Sequence, residues 1–235
     1  LQESMERVMT SRVNEIQSQV FALQAQMNPH FIHNILAVIS AMATDDEEGK
    51  IPEICEKLSD MIHYNTRFHA NYAEFEEEIN YAENYLELMK IRYEDKFRYS
   101  MVYVGETQSF RMPRFIVQPL LENCFSHGFK KKLFPWIIDI QDLFLQDSWE
   151  IWIWDNGSGM ETQEREEILK QLDAIRSKEL RDLIKELQIG GLSLKNVFVR
   201  LYIAYKEDMI FDIKQDERGT GIVIGGKYDD TGNGS

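Results

Sequence analysis

Only two cysteines, Cys55 and Cys124, stand among the 235 residues, and they form no CxxC pair. That leaves no disulfide framework and no thiolate zinc site, and it suits reduced thiols in a cytosolic compartment. Basic residues are also scarce: 26 Lys and Arg face 40 Asp and Glu, a net charge of −14. Such a balance argues against nucleic acid or an anionic membrane as a partner. No apolar run reaches the roughly 20 residues of a membrane span, and no signal peptide is visible. The chain carries neither GxGxxG nor the Walker pattern, so dinucleotide and P-loop readings fail. No internal repeat is present.

What is present begins with helix. Met9, Val13, Ile16, Val20, Leu23 and Met27 step by four and three, the spacing of a coiled-coil seam. Pro29 then interrupts the pattern, directly before His30. A proline inside a helix costs roughly 3 kcal/mol, so either the helix ends at Asn28 and restarts, or a bend turns His30 outward as a nucleophile. Beyond Pro29 the large apolar residues Phe31, Ile32, Ile35, Leu36, Val38, Ile39 and Met42 fill one broad arc. His30 falls opposite, with Asn34, Ala37 and Ala41 beside it. This histidine is either reactive or an incidental surface residue. His33 lies nearby without a third ligand of suitable type, which argues against a metal.

Thr44 to Gly49 is a polar turn, and helices are expected from Pro52 to about Phe68 and from Phe75 to Arg92. Antiparallel helices of this kind bury their stripes by pairing, often with a second copy of the chain. After Lys96 the character changes. Phe97–Val104 alternates as a strand, and Pro113–Phe125 reads as helical. Ile137–Leu145 and Trp149–Trp154 read as strands across an Asp147-Ser148 turn. Residues 161–188 are charged and helical, Gly191–Tyr205 is another helix, and Met209–Ile213 with Gly221–Tyr228 resembles a closing hairpin. Asp229–Ser235 reads as a disordered tail. Trp152 and Trp154 share one face of their strand and Trp149 takes the other. Cys55 and Cys124 are expected in the core, and His63 and His69 as polar residues on or after the second helix.

Three later segments have the makings of a nucleotide site. Glu122 and Asn123 sit in PLLENCFSHG, where the Asn oxygen is either a ligand for Mg²⁺ or part of a cap or surface pair. Asp155-Asn156-Gly157-Ser158-Gly159 follows a strand: a plain turn, or a carboxylate placed to accept an adenine amino group beside permissive glycines. Gly190-Gly191-Leu192 opens a helix whose free N–H groups and positive dipole suit phosphate.

Taken together, NPHFIHN, FEEEINYAENYLELMKIRYEDKF, PLLENCFSHG, WDNGSG, GGLSLKNVFVRLYIAY and RGTGIVIGG, in this order from about Leu23 to Ile224, resemble the LytS/YesM type of sensor histidine kinase. The resemblance implies an α+β chain. Residues 1–95 would be a helical dimerisation and phosphoacceptor region, residues 96–228 a GHKL (Bergerat-type) sandwich with a mixed sheet covered by helices on one face, and residues 229–235 a tail. It implies ATP and Mg²⁺ as ligands, with His30 as the phosphorylated histidine, Asn123 as the Mg²⁺ ligand and Asp155 as the adenine aspartate flanked by Gly157 and Gly159. Gly190, Gly191 and Leu192 fall in the second glycine box, and Gly219, Thr220 and Gly221 in the last glycine-rich turn. Residues 158–190 would form a lid. His127 is expected at the nucleotide edge or packed in the helix, Glu122 as a catalytic neighbour, and Asn34 in a phosphatase role.

Departures from the family pattern are Ser193 and Ile189, where relatives have glycines, and Ser126, where relatives often have a lysine near the phosphates; Lys130, Lys131 and Lys132 stand close enough in sequence to replace it. Phe31 follows His30 where the commoner histidine kinases place an acid, a trait of the LytS/YesM type itself. The implied function is autophosphorylation of His30 and transfer to an aspartate of a response regulator, within a homodimer joined through the N-terminal helices. The alternative is a nucleotide-binding module acting mainly as phosphatase or pseudokinase scaffold. The start at Leu1 reads as a fragment from the cytoplasmic side of the cell membrane, attached through a missing N-terminal sensor part.

Overall fold

The computed structural model describes Ile35, Leu36, Ile39 and residues 50–66, 71–106, 109–189 and 194–228. The seam, the bend at Pro29, His30, His33, Asn34, His69, Gly190, Gly191, Leu192, Ser193 and the tail lie outside the described residues.

Two helices lead into the sheet. In α1 (Lys50–Thr66), Ile54, Leu58 and Met61 recur at helical spacing and are buried. Cys55, one residue round from Ile54, is turned to the outside and is exposed, which corrects the expectation of a core thiol. His63 is exposed on the same helix, as expected. After β1 (Tyr72–Glu74) comes α2 (Phe75–Tyr93), whose first turn carries Glu76, Glu77 and Glu78 and whose last carries Lys90 and Arg92. That ordering suits the helix dipole. The Glu74 N–H donates to Glu77 Oε2 at 3.3 Å, closing the first turn. The buried side of α2, with Phe75, Ile79, Ala82, Tyr85, Leu86 and Met89, joins one continuous core with the sheet.

Strand β2 (Phe97–Val104) has the expected bounds. Pro113 does not begin a helix. It ends β3 (Arg111–Pro113), which pairs antiparallel with β1, and helix α3 starts only at Gln118 and runs to Asn123, continuing as a wider turn through Cys124–Gly128. Strands β4 (Trp136–Phe144) and β5 (Ser148–Asp155) form the expected hairpin with Phe144 opposite Trp149. The charged stretch divides into α4 (Thr162–Arg176) and α5 (Leu180–Ile189). Helix α6 (Leu194–Tyr205), β6 (Ile210–Asp216) and β7 (Gly219–Lys227) complete the fold.

The main sheet has the order β2-β4-β5-β7-β6, parallel between β2 and β4 and antiparallel elsewhere. This is the mixed sheet that the sequence led us to expect. Its inner face, with Ile138, Ile140, Trp149, Ile151 and Ile153, is buried beneath helices: Phe75 of α2 meets Phe144 edge-on at 5.0 Å, and Phe198 of α6 meets Phe211 at 5.0 Å. Trp152 and Trp154 lie on the other face, half-buried beneath Lys214 and Arg218, whose charged ends sit 3.8 and 4.4 Å from the ring centres. Asp142 is an exception to the inner pattern. It is wholly buried, and neither carboxylate oxygen has a hydrogen-bond partner among the described residues.

Candidate functional site

A cavity of about 490 Å³ opens between α3, the end of β5, the start of β7, α4 and the first turn of α6. Its wall brings together Asn123, His127, Lys130, Asp155, Gly159 and Thr220, six of the positions that the sequence marked from three distant segments. Glu122, Gly157 and Gly219 do not line it.

Antiparallel pairing explains the convergence. Asp155 is the last residue of β5 and lies opposite Thr220 of β7 and Ile138 of β4, so the DNG turn and the GTG turn meet by register. The Asp155 side chain is buried at 8% exposure. Burial pushes its pKa up to about 6, while the Gly157 N–H, donating to Oδ1 at 2.8 Å, and the Cys124 thiol hold it back. Glycine is required around it. A Cβ on Gly157 would stand 2.3 Å from Asp155 Oδ1 and 2.3 Å from the Gly128 carbonyl oxygen. Gly219, at φ +137, would bring a Cβ to 1.9 Å from the Asp155 carbonyl oxygen.

Around this carboxylate the loops are pinned. Asn156 accepts the Ile137 N–H at 2.9 Å and donates to the Pro135 carbonyl at 3.0 Å, tying the end of β5 to the start of β4. The Ser158 N–H donates to the Gly128 carbonyl at 2.9 Å, joining the glycine turn to the end of the α3 segment. The Met160 N–H donates to Gln215 Oε1 at 3.1 Å, and Gly159, at φ +76, leaves room for that side chain. Arg165 of α4 donates twice to the Ile213 carbonyl, at 2.9 and 2.6 Å. Asn156 was readable in sequence only as turn chemistry, and Gln215 gave no signal, since its role depends on β6 lying beside the loop.

Glu122 does not line the cavity. Gln118 donates to its Oε1 at 2.8 Å, and burial pushes its pKa up to about 7. It also helps to raise the buried Tyr85 hydroxyl, after burial itself, which places it toward α2. Cys124, expected in the core, is buried; it lines the cavity, and its thiol is pushed up by burial and then by Asp155. The apolar part of the wall comes from Leu120, Ile168, Leu172, Leu194 and Ile222. A flat ring can lie among such side chains with Asp155 at its edge.

Residues 18–97 match the family model described as histidine kinase. The sensor histidine kinase YesM of Bacillus subtilis is 24% identical over 230 residues, which span 92% of this chain and 37% of that protein. The sensor protein LytS of Bacillus anthracis is 28% identical over 209 residues, 88% of this chain and 33% of that one. Along most of its length the chain is similar to sensor histidine kinases of the LytS/YesM type. It spans about a third of the length of these curated relatives. The catalytic domain of histidine kinase ThkA aligns over 68% of this chain and 97% of its own at 12% identity, with a TM-score of 0.46, too slight a likeness to add weight. Among the described residues no helix is long and apolar enough to cross a membrane, and no cluster of three His, Cys, Asp or Glu side chains is placed to hold a metal.

Proposed function

We propose that the chain binds ATP in the Asp155 cavity, phosphorylates its own His30, and passes the phosphoryl group to an aspartate of a response regulator. The observation that carries this is the meeting of Asn123, Asp155 and Thr220 on one cavity wall, in a chain similar to sensor histidine kinases. Residues 96–228 would supply the nucleotide site. Residues 1–95 would supply His30 and a dimer interface through the N-terminal helices, with α2 packed against both parts.

An ionised Asp155 Oδ2 accepts a hydrogen bond from the exocyclic amine of adenine, with Oδ1 already held by Gly157. The apolar wall excludes water from the ring faces. Asn123, on the same wall, offers an amide oxygen to Mg²⁺, and the absence of an acidic cluster among the described residues fits an ion that takes its other oxygens from phosphate and water. Bound there, Mg²⁺ supplies charge neutralisation at the phosphates. Lys130, Lys131 and Lys195 border the cavity and add positive charge. A ring nitrogen of His30 forms a bond to the γ-phosphorus as the bond from that phosphorus to the β,γ-bridging oxygen breaks, and ADP leaves. The regulator carboxylate then attacks the phosphorus, and the nitrogen–phosphorus bond breaks. Positioning and electrostatics dominate both transfers. We place the reaction on the cytoplasmic side of the cell membrane, where ATP is available.

Incubation with ATP labelled at the γ-phosphate and Mg²⁺ should give acid-labile, base-stable label. His30→Gln should remove the label while ATP affinity stays within a few-fold of the parent. Label retained in that variant would rule out His30, and a parent that binds no ATP would sink the whole reading.

A further inference from the structure

The most concentrated set of buried polar groups lies outside the cavity, where α1, α2, α3 and α6 meet. Glu78 of α2 is fully buried, and its carboxylate is surrounded by donors. Ile116 and Val117 N–H donate to Oε1 at 2.8 and 3.1 Å, Phe115 N–H donates to Oε2 at 3.0 Å, and the Tyr64 hydroxyl of α1 donates to the same Oε2. Arg114 donates to the Tyr64 carbonyl and lays its guanidinium 3.9 Å from the centre of the Tyr64 ring. Arg200 of α6 donates to the Arg114 carbonyl at 3.4 Å and is itself buried. Phe115 is held at φ +56, a left-handed backbone that a bulky residue adopts only under constraint.

Those three N–H groups belong to the residues immediately before α3, the helix that ends in Asn123. Resting on the proposed function above, we infer that Glu78 and Tyr64 are positioning residues that set the place of Asn123 from the end of α1. Neither touches the cavity. They act through the backbone of residues 115–117, whose three N–H groups are all held by the Glu78 carboxylate. A shift of α1 that withdraws the Tyr64 hydroxyl leaves a buried carboxylate short of a partner, which is costly in a dry interior. The start of α3 must then rearrange with it. The device would let the helical arm report its position to the metal-binding side of the site while the Asp155 side, pinned by Asn156 and Gly157, stays unchanged.

ATP affinity measured by calorimetry with and without Mg²⁺ tests this, because the metal-dependent gain reads Asn123 and the metal-free affinity reads Asp155. Tyr64→Phe keeps the ring that stacks on Tyr81 at 4.6 Å and carries Arg114, and removes only the hydroxyl. We expect metal-free affinity to remain within about two-fold, with the Mg²⁺ gain reduced about five-fold or more, as for the loss of one charge-assisted hydrogen bond. Glu78→Gln should do the same more strongly if it folds. An unchanged Mg²⁺ gain in Tyr64→Phe overturns the inference, as does an equal loss with and without the metal, which marks general destabilisation. A parent that binds ATP with no Mg²⁺ gain overturns the reading of Asn123 and this inference with it. A parent that binds no ATP at all is the failure of the proposed function.

Discussion

Asp155 and Thr220 lie directly opposite each other across the β5–β7 ladder, so a carboxylate at one strand's end and a hydroxyl at the next strand's start reach the same cavity. The carboxylate is the more exposed to pH. Its pKa is pushed up to about 6 by burial, and only the ionised form accepts at both oxygens, from the Gly157 N–H at Oδ1 and from adenine at Oδ2. ATP affinity should therefore rise as pH rises from 5 to 7.5 and level off above. At pH 5 about a tenth of the carboxylate is ionised, so the loss should approach ten-fold. Asp155→Asn should bind ATP about 1.5–3 kcal/mol more weakly at pH 7.5 and show no such profile. Calorimetry across pH checks both, and a flat profile in the parent would remove Asp155 from the adenine contact.

Gly157→Ala should be nearly as damaging as loss of Asp155 itself. The added Cβ would stand 2.3 Å from Asp155 Oδ1, so the carboxylate must leave its place or the turn must open. We expect ATP affinity to fall at least ten-fold and unfolding stability to drop by about 1–3 kcal/mol. Thermal melting beside calorimetry measures the two losses separately.

Asp142 makes a prediction about stability alone. Burial without a partner pushes its pKa up to about 7, against about 4 in the unfolded chain. The folded state holds a proton that the unfolded state releases, so stability falls as pH rises from about 4 to about 7 and is level beyond. Asp142→Asn should match the parent at pH 4 and be more stable at pH 8 by roughly 2–4 kcal/mol. Denaturant melts at the two pH values decide it; equal stability at pH 8 would mean that the carboxylate is relieved in solution.

Asn34 stands one helical turn after His30 in sequence. If it orients water toward a phosphorylated regulator, Asn34→Ala should slow regulator dephosphorylation while His30 still labels at a near-normal rate. If it only partners a carbonyl freed by Pro29, both activities should fall together. Measuring both rates on one preparation separates these outcomes.

Local patterning carried most of the elements. Phe97–Val104 alternates, Phe75 to Arg92 repeats at helical spacing, and Asp147-Ser148 bounds a hairpin, so each was readable from near neighbours in the chain. Pro113 misled because its fate depends on β1, some forty residues earlier: a strand pairing overrode a helical reading. Cys55 misled because small hydrophobic character says nothing about which side of α1 it faces. Asp155, Gly157, Gly159, Asn123 and Thr220 were marked as candidates through the family resemblance, since a glycine turn and an Asn-bearing helix also have plain structural uses; the structure puts Asn123, Asp155, Gly159 and Thr220 on one cavity wall.

By itself, the sequence determined which residue types were available for the chemistry and most of the stretches that are helix or strand, because both follow from side-chain identity and local periodicity. Tertiary structure decided the rest. The β5–β7 register placed Thr220 opposite Asp155, and the β6–β7 pairing brought Gln215 beside Gly159. Glu78, which reads in sequence as one more acid in a helix's first turn, became the buried anchor of residues 115–117. The physical reason is that hydrogen bonding and burial between segments far apart in the chain depend on how whole elements pack, and no local pattern encodes the partner of a buried carboxylate.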